Sequence, residues 1–221
     1  MRRTRFLKVD QDHPDDEVVG RATKVLSKGG IVCFPTETVY GLGVRISDNS
    51  ALEELFLIKG RKKGSAFSIF VRSAEEATNF TREVNSSAKR LMDGFWPGPL
   101  TLVCKSKVKN LSPYLLSRNK IGIRVSSSPL VRKLVDKLGE PITATSANLS
   151  GEKPCLSFQQ VRRVFRGKVD LILDGGRTQS DNVSTVLDVS GEKVVLVREG
   201  VVPLIEIRRA IPELYESRKN I

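Results

Sequence analysis

The sequence predicts one α/β domain built around a mixed sheet. Short apolar, β-rich runs are interspersed with segments of helical periodicity. The alternation is irregular, and some strand-like runs follow one another across only a turn, which a regular βαβ array would not do. No repeat or low-complexity linker divides the 221 residues, so residues 1–221 are expected to form a single domain.

Each element has a local reason. Residues 5–9 suit a first short strand. Asp15-Asp16 starts a helix with carboxylates at its positive end. Val18, Val19, Ala22, Val25 and Leu26 form its apolar face, and Gly29-Gly30 ends it. The apolar run 31–34 suits a buried strand, and Pro35 ends it by removing a backbone donor. A strand near 43–46 follows. Asp48 or Asn49 caps a helix through Ile58, and 59–64 is a loop. Residues 67–71 form a strand, and Ser73 with Glu76 reads as a capping box. A helix spans about 85–95 until Trp96-Pro97-Gly98-Pro99 breaks it.

Residues 100–104 and 121–125 are strands, and Pro129 opens a helix through Leu138. The strand 141–145 runs into Ser146-Ala147-Asn148-Leu149-Ser150-Gly151. Ser157 and Gln160 cap a helix to Phe165. Strand 169–173 ends at Asp174-Gly175-Gly176, and 183–189 pairs with 194–197 as a hairpin. Pro203 opens a C-terminal helix.

The formal net charge is +12. It favours phosphate-rich partners, namely nucleotides, nucleic acid or anionic surfaces, with a well-solvated lysine-rich surface as the alternative. No apolar run of about 18 residues occurs, so no membrane span is expected. The basic N-terminus leads into no long apolar segment, and a cytoplasmic location is expected. Cys33, Cys104 and Cys155 are widely separated and read as small apolar fillers in a reducing compartment. His13 is the one histidine and is expected at the surface, which disfavours histidine triads and histidine-based zinc sites. No metal ligand set is predicted.

The turn after 31–34, Pro35-Thr36-Glu37-Thr38-Val39-Tyr40-Gly41, concentrates hydroxyls, a carboxylate and a phenol at a sheet edge. Ligands of α/β proteins bind at such edges, although a plain turn with Tyr40 packing is the alternative. Gly60 lets Lys59 and Arg61 converge on one anion, with Lys63 as a third cation; a solvated loop is the alternative. Ser146 and Asn148, two apart at a strand end, either hold a phosphate or purine edge or make a local turn. Arg124, in an apolar strand, needs an anion: a structural carboxylate or a ligand's. Ser184 and Arg198 sit at strand ends.

Taken together, the Phe34–Gly43 segment, Lys59-Gly60-Arg61, Trp96-Pro97-Gly98-Pro99-Leu100-Thr101, the 122–125 segment, the 146–151 segment, Asp174-Gly175-Gly176, Ser184-Thr185 and Arg198-Glu199-Gly200 resemble the YrdC-like threonylcarbamoyl-AMP synthase family. The matching motifs follow family order over about residues 15–205. The resemblance implies a twisted mixed sheet flanked by helices, with a concave basic ligand-binding face and no additional C-terminal domain. It implies that L-threonine, bicarbonate and ATP give threonylcarbamoyl-AMP and pyrophosphate, for threonylcarbamoyladenosine modification at tRNA position 37. Lys59, Arg61, Ser146, Asn148 and Arg198 would contact ATP, with Lys63 nearby and Lys59 and Arg61 acting in catalysis. Thr36, Arg124, Ala144 and Ser184 would hold threonine, and Tyr40 would line the pocket. Mg²⁺ would accompany ATP; tRNA or tRNA-modification proteins are further possible partners, and no membrane is.

The sequence departs from the family pattern in three places. Lys62 replaces a proline and Ser65-Ala66-Phe67 replaces an Asn-Pro-Leu triplet. Phe70 stands where a histidine is usual, and Pro154 where a serine is. The alternative is therefore a YciO-like paralogue that binds RNA or nucleotide with weak or no synthase activity.

Overall fold

The computed structural model describes residues 2–216. In chain order the elements are β1 (Arg5–Lys8), α1 (Asp16–Ser27), β2 (Val32–Phe34), β3 (Gly41–Gly43), α2 (Asn49–Lys59), β4 (Ser68–Phe70), α3 (Ala74–Ala77), α4 (Ser86–Phe95), β5 (Leu100–Lys105) and β6 (Lys120–Arg124). They continue as α5 (Pro129–Leu138), β7 (Ile142–Ser146), α6 (Phe158–Phe165), β8 (Leu171–Asp174), β9 (Thr185–Asp188), β10 (Val194–Arg198), α7 (Leu204–Ala210) and β11 (Leu214–Glu216). The strands form one mixed sheet in the order β1-β8-β2-β3-β7-β4-β6-β5-β9-β10-β11. Parallel pairs such as β5 with β9 alternate with antiparallel ones such as β5 with β6.

Period-two alternation buries the central strands on both faces. Val32, Phe34, Leu171 and Leu173 pack under α1 and α5 with Val19, Leu26, Leu130 and Leu134. Cys33, Ile69, Ile123 and Ile172 face the other way, against Leu52 and Leu55 of α2 and Val161 and Phe165 of α6. A third cluster joins α4 and α7 to β5, β9 and β10 through Leu91, Ile207, Leu102, Leu187 and Val194. The three cysteines are buried and free.

Local signals set the helix ends. Asp15 accepts from Glu17 N and Val18 N, and Asp48 from Ala51 N. Ser73 caps α3, but the Glu76 carboxylate bonds Arg72 N and the Arg72 guanidinium, so the reciprocal half of the expected capping box goes to the preceding residue. Two boundaries differ from expectation in ways that matter for the site. The strand expected near 43–46 is Gly41–Gly43, directly after the polar turn. A side chain at Gly43 would come within 2.6 Å of the Phe34 ring, so only glycine lets β3 lie against it. The helix expected to stop at Ile58 continues through Lys59 and is ended by Gly60 in the left-handed region at φ 61°. Lys59 is therefore the last helical residue and not part of a loop. β11 was not anticipated; it is three residues long and pairs in parallel with β10.

Candidate functional site

Between the β2–β3 turn and the ends of β4 to β7, β9 and β10 lies a cavity of about 120 Å³. Thr36, Tyr40, Arg61, Arg124, Ala144, Ser146, Ser184 and Arg198 all line it. These residues lie far apart in sequence and come together only because β3 pairs with β7, β7 with β4, and β5 with β9.

Of the charges lining the cavity Arg124 is the deepest, with 5% of its side chain exposed. Its Nη2 lies 2.7 Å from Glu37 Oε1, and its Nε donates to Gly98 O at 3.1 Å. Its terminal nitrogens face Thr38 Oγ1 at 3.4–3.5 Å, and its guanidinium lies 5.5 Å from the centre of the Phe70 ring. Of the two anions the sequence left open for this arginine, a structural carboxylate is thus present within the fold. Glu37 also accepts from Ser126 Oγ at 2.6 Å and Ser127 N at 3.0 Å. Burial pushes the Glu37 pKa up, but Arg124 and the Ser126 hydroxyl outweigh burial and leave it below the ordinary carboxylate value.

The turn itself is a hydroxyl relay. Thr36 Oγ1 donates to Val39 O at 2.7 Å and lies 2.9 Å from Thr38 Oγ1. Tyr40 is fully buried; its hydroxyl donates to Gly176 O and accepts from Gly175 N, which ties the turn to the Asp174-Gly175-Gly176 segment. Burial, above all, raises its pKa.

On the opposite wall, Arg198 donates to Ser184 O at 2.9 Å and Ser184 Oγ at 3.1 Å, and Ser184 Oγ lies 2.9 Å from Thr101 Oγ1. Arg61 donates to Ala66 O at 2.6 Å and stacks over the Phe67 ring. Desolvation lowers the pKa of Arg61 and Arg198; the charge of Arg198 adds to the first and that of Arg124 to the second. The cavity thus holds three mutually repelling guanidiniums, of which only Arg124 has a carboxylate partner among the described residues. A bound anion relieves that repulsion.

Lys59, Asn148 and Lys63 stand elsewhere. Lys59 is 2% exposed and points inward, donating to Ser146 O at 2.5 Å and Asn148 O at 2.7 Å. It does not converge with Arg61, because Gly60 ends the helix between them and sends the two side chains to different surroundings. Burial, with Arg61 adding to it, lowers the Lys59 pKa to about 7. Asn148 spends its amide on the loop, donating to Leu149 O and Glu152 O and accepting from Ser146 Oγ at 2.6 Å. Lys63 is exposed and outside the cavity lining. Sequence reasoning did not single out Thr38 and Thr101 as lining residues or Glu37 as the partner of Arg124, whereas Phe70, a departure from the family pattern beside the expected site, does line the cavity. The demand of a buried arginine for an anion is the signal by which Glu37 could have been found.

None of the described lining residues is a carboxylate. Guanidiniums and hydroxyls do not make a site for a resident divalent cation, which takes carboxylate and carbonyl oxygens.

The family profile described as telomere recombination, Sua5/YciO/YrdC, matches residues 24–200. The chain belongs to the Sua5/YciO/YrdC family. A threonylcarbamoyl-AMP synthase of Pyrococcus abyssi is 37% identical over 196 residues, 87% of this chain and 57% of that protein. One from Bacillus subtilis is 32% identical over 210 residues, 95% of this chain and 61% of that protein. The chain thus spans under two thirds of the length of either. The crystal structure of P. abyssi Sua5 complexed with L-threonine superposes with a TM-score of 0.91 at 33% identity, over 96% of this chain and 62% of that one. Escherichia coli YciO superposes with a TM-score of 0.84 at 31% identity, over 91% and 98%. No helix among the described residues of this Sua5/YciO/YrdC protein is long and apolar enough to cross a membrane.

Proposed function

We propose that this chain is an L-threonylcarbamoyladenylate synthase acting in the cytoplasm, making threonylcarbamoyl-AMP and pyrophosphate from L-threonine, bicarbonate and ATP. The observation that carries the reading is a cavity of amino-acid size walled by three arginines and several hydroxyls. At about 120 Å³ it is well below a nucleotide-sized pocket, so ATP extends out of it past Arg61 and Arg198. The N–H groups of Arg124 that Glu37 leaves over take the threonine carboxylate, with Thr36, Ala144 and Ser184 around the rest of the amino acid and Tyr40 behind it. Arg61 and Arg198 take phosphate oxygens, and Lys63 meets the phosphates outside the cavity. Lys59 is a positioning residue, because its amine holds the carbonyls of Ser146 and Asn148 and so fixes the end of β7, where Ser146 lines the cavity that meets ATP. Mg²⁺ enters on the phosphates of the nucleotide.

The amine of threonine adds to CO₂ drawn from bicarbonate and loses a proton, giving a carbamate. A carbamate oxygen attacks the α-phosphorus of ATP and pyrophosphate leaves. No protein nucleophile takes part; the protein contributes alignment and cations facing the developing charge. The product supplies tRNA position 37 through a further transfer step. Pyrophosphate release from ATP and bicarbonate, with and without L-threonine, tests this. Threonine-dependent release that Arg61→Ala and Lys59→Ala abolish supports it. ATP binding without release favours a YciO-like nucleotide-binding role, for which the Phe70 ring in the cavity wall is the specific observation.

A further inference from the structure

A second basic feature lies at the β1 edge of the sheet and shares no lining residue with the cavity. It is an open groove of about 1000 Å³ between the edge strand β1 and helix α6. Arg2, Arg3, Arg162, Arg163 and Arg166 line it, together with Phe6. Arg2 is paired with Glu54 and Asp170. The other four have no carboxylate in reach among the described residues, and all four are exposed. Arg162 and Arg163 lie in the last turn of α6, and Arg166 is its C-cap residue, so three guanidiniums gather at one helix end. Phe6 is 37% exposed on the edge strand. Its ring is held edge-on by Phe158 at 5.9 Å and lies 5.6 Å from the Arg162 guanidinium.

Edge-strand charge that guards against aggregation accounts for Arg5 and Lys8, but not for the three arginines at the end of the neighbouring α6. Guanidiniums fork onto phosphate oxygens, and an exposed aromatic ring beside them offers a stacking face for an unpaired base. The groove is too large for one phosphate, and its concave shape fits a strand and not the plane of a bilayer. We infer that the β1–α6 groove is an RNA-binding site that grips phosphates with Arg3, Arg162, Arg163 and Arg166 and stacks a base on Phe6. This goes beyond the synthase reading and does not depend on it.

The test is fluorescence anisotropy of a labelled RNA stem-loop of about 20 nucleotides, titrated at several salt concentrations. The groove variant is Arg162→Gln/Arg163→Gln/Arg166→Gln. A charge-matched control, Arg82→Gln/Lys107→Gln/Lys109→Gln, alters the basic cleft at the far ends of β5 and β6. All substituted side chains are exposed, and melting midpoints check folding. The groove variant is expected to bind at least tenfold more weakly at about 0.1 M salt, with the log–log salt slope reduced by about 2. Phe6→Ala is expected to weaken binding roughly fivefold or more with the slope unchanged, since stacking releases no counterions. The control triple is expected to stay within about twofold of wild type, since it removes no groove contact. Equal losses in both triples would show that net charge alone binds RNA and would overturn the inference. Unchanged binding by the groove variant would overturn it too. So would arginine-dependent binding to phosphatidylserine–phosphatidylcholine vesicles with no RNA binding.

Discussion

Replacing Glu37 with glutamine removes a charge while keeping the shape of the side chain. In the wild type Glu37 and Arg124 have 11% and 5% of their side chains exposed and meet at 2.7 Å. Removing one partner of a buried ion pair costs about 3–5 kcal/mol, because the remaining charge stays buried without a counterpart. Glutamine keeps one acceptor oxygen, for Ser127 N, while its amide NH₂ can donate to Ser126 Oγ, so the low end, about 3 kcal/mol, is expected for Glu37→Gln. For a domain of this size each kcal/mol moves the melting midpoint by about 2–4 °C, giving a loss of roughly 6–12 °C at pH 7. Circular dichroism melts of both proteins across pH measure it. The Glu37 pKa is lowered in the fold, so its contribution is fully present above the ordinary glutamate value of 4.5 and is lost as pH falls through the lowered value. The gap between the two proteins should therefore be widest near neutrality and close in acid. A midpoint within about 2 °C of wild type at pH 7 would refute the reasoning, as would a gap that persists undiminished in acid.

Three further outcomes are expected. Lys59→Met, which strips the donors from Ser146 O and Asn148 O, should cost about 2 kcal/mol in urea unfolding. Because burial lowers the Lys59 pKa from 10.5 to about 7, the unfolded chain binds the extra proton between those values. Wild-type stability should therefore gain from this residue as pH rises through that window, and Lys59→Met should lack the gain. Tyr40→Phe leaves Gly175 N and Gly176 O without their shared partner and should cost about 1–2 kcal/mol, read from the same unfolding curves. Gly200→Ala would push a methyl group onto Val183 O and within 2.6 Å of Ser184 O. It should destabilise by about 1–3 kcal/mol and, by displacing Ser184, weaken threonine binding measured by calorimetry.

The helix caps at Asp15, Asp48, Ser73 and Ser157, the alternation of Val32, Cys33 and Phe34, and the helix break at Trp96-Pro97 were all legible locally. Each depends on residues within one or two turns of chain, where spacing alone decides which atoms meet. The residue types of the cavity were legible for the same reason: a buried arginine must have an anion, and hydroxyls packed into a turn must bond something. Their arrangement was not. Lys59 reads as a free cation beside Arg61 until the left-handed Gly60 shows that it ends a helix facing the interior. Glu37 and Arg124 are distant in sequence, and Thr101 meets Ser184 only through the parallel pairing of β5 with β9. Strand order is set by packing summed over the whole sheet. Composition and periodicity could therefore name the side chains, but only the folded sheet could say which of them face one another, which are consumed in holding the backbone, and which are left over for an anion.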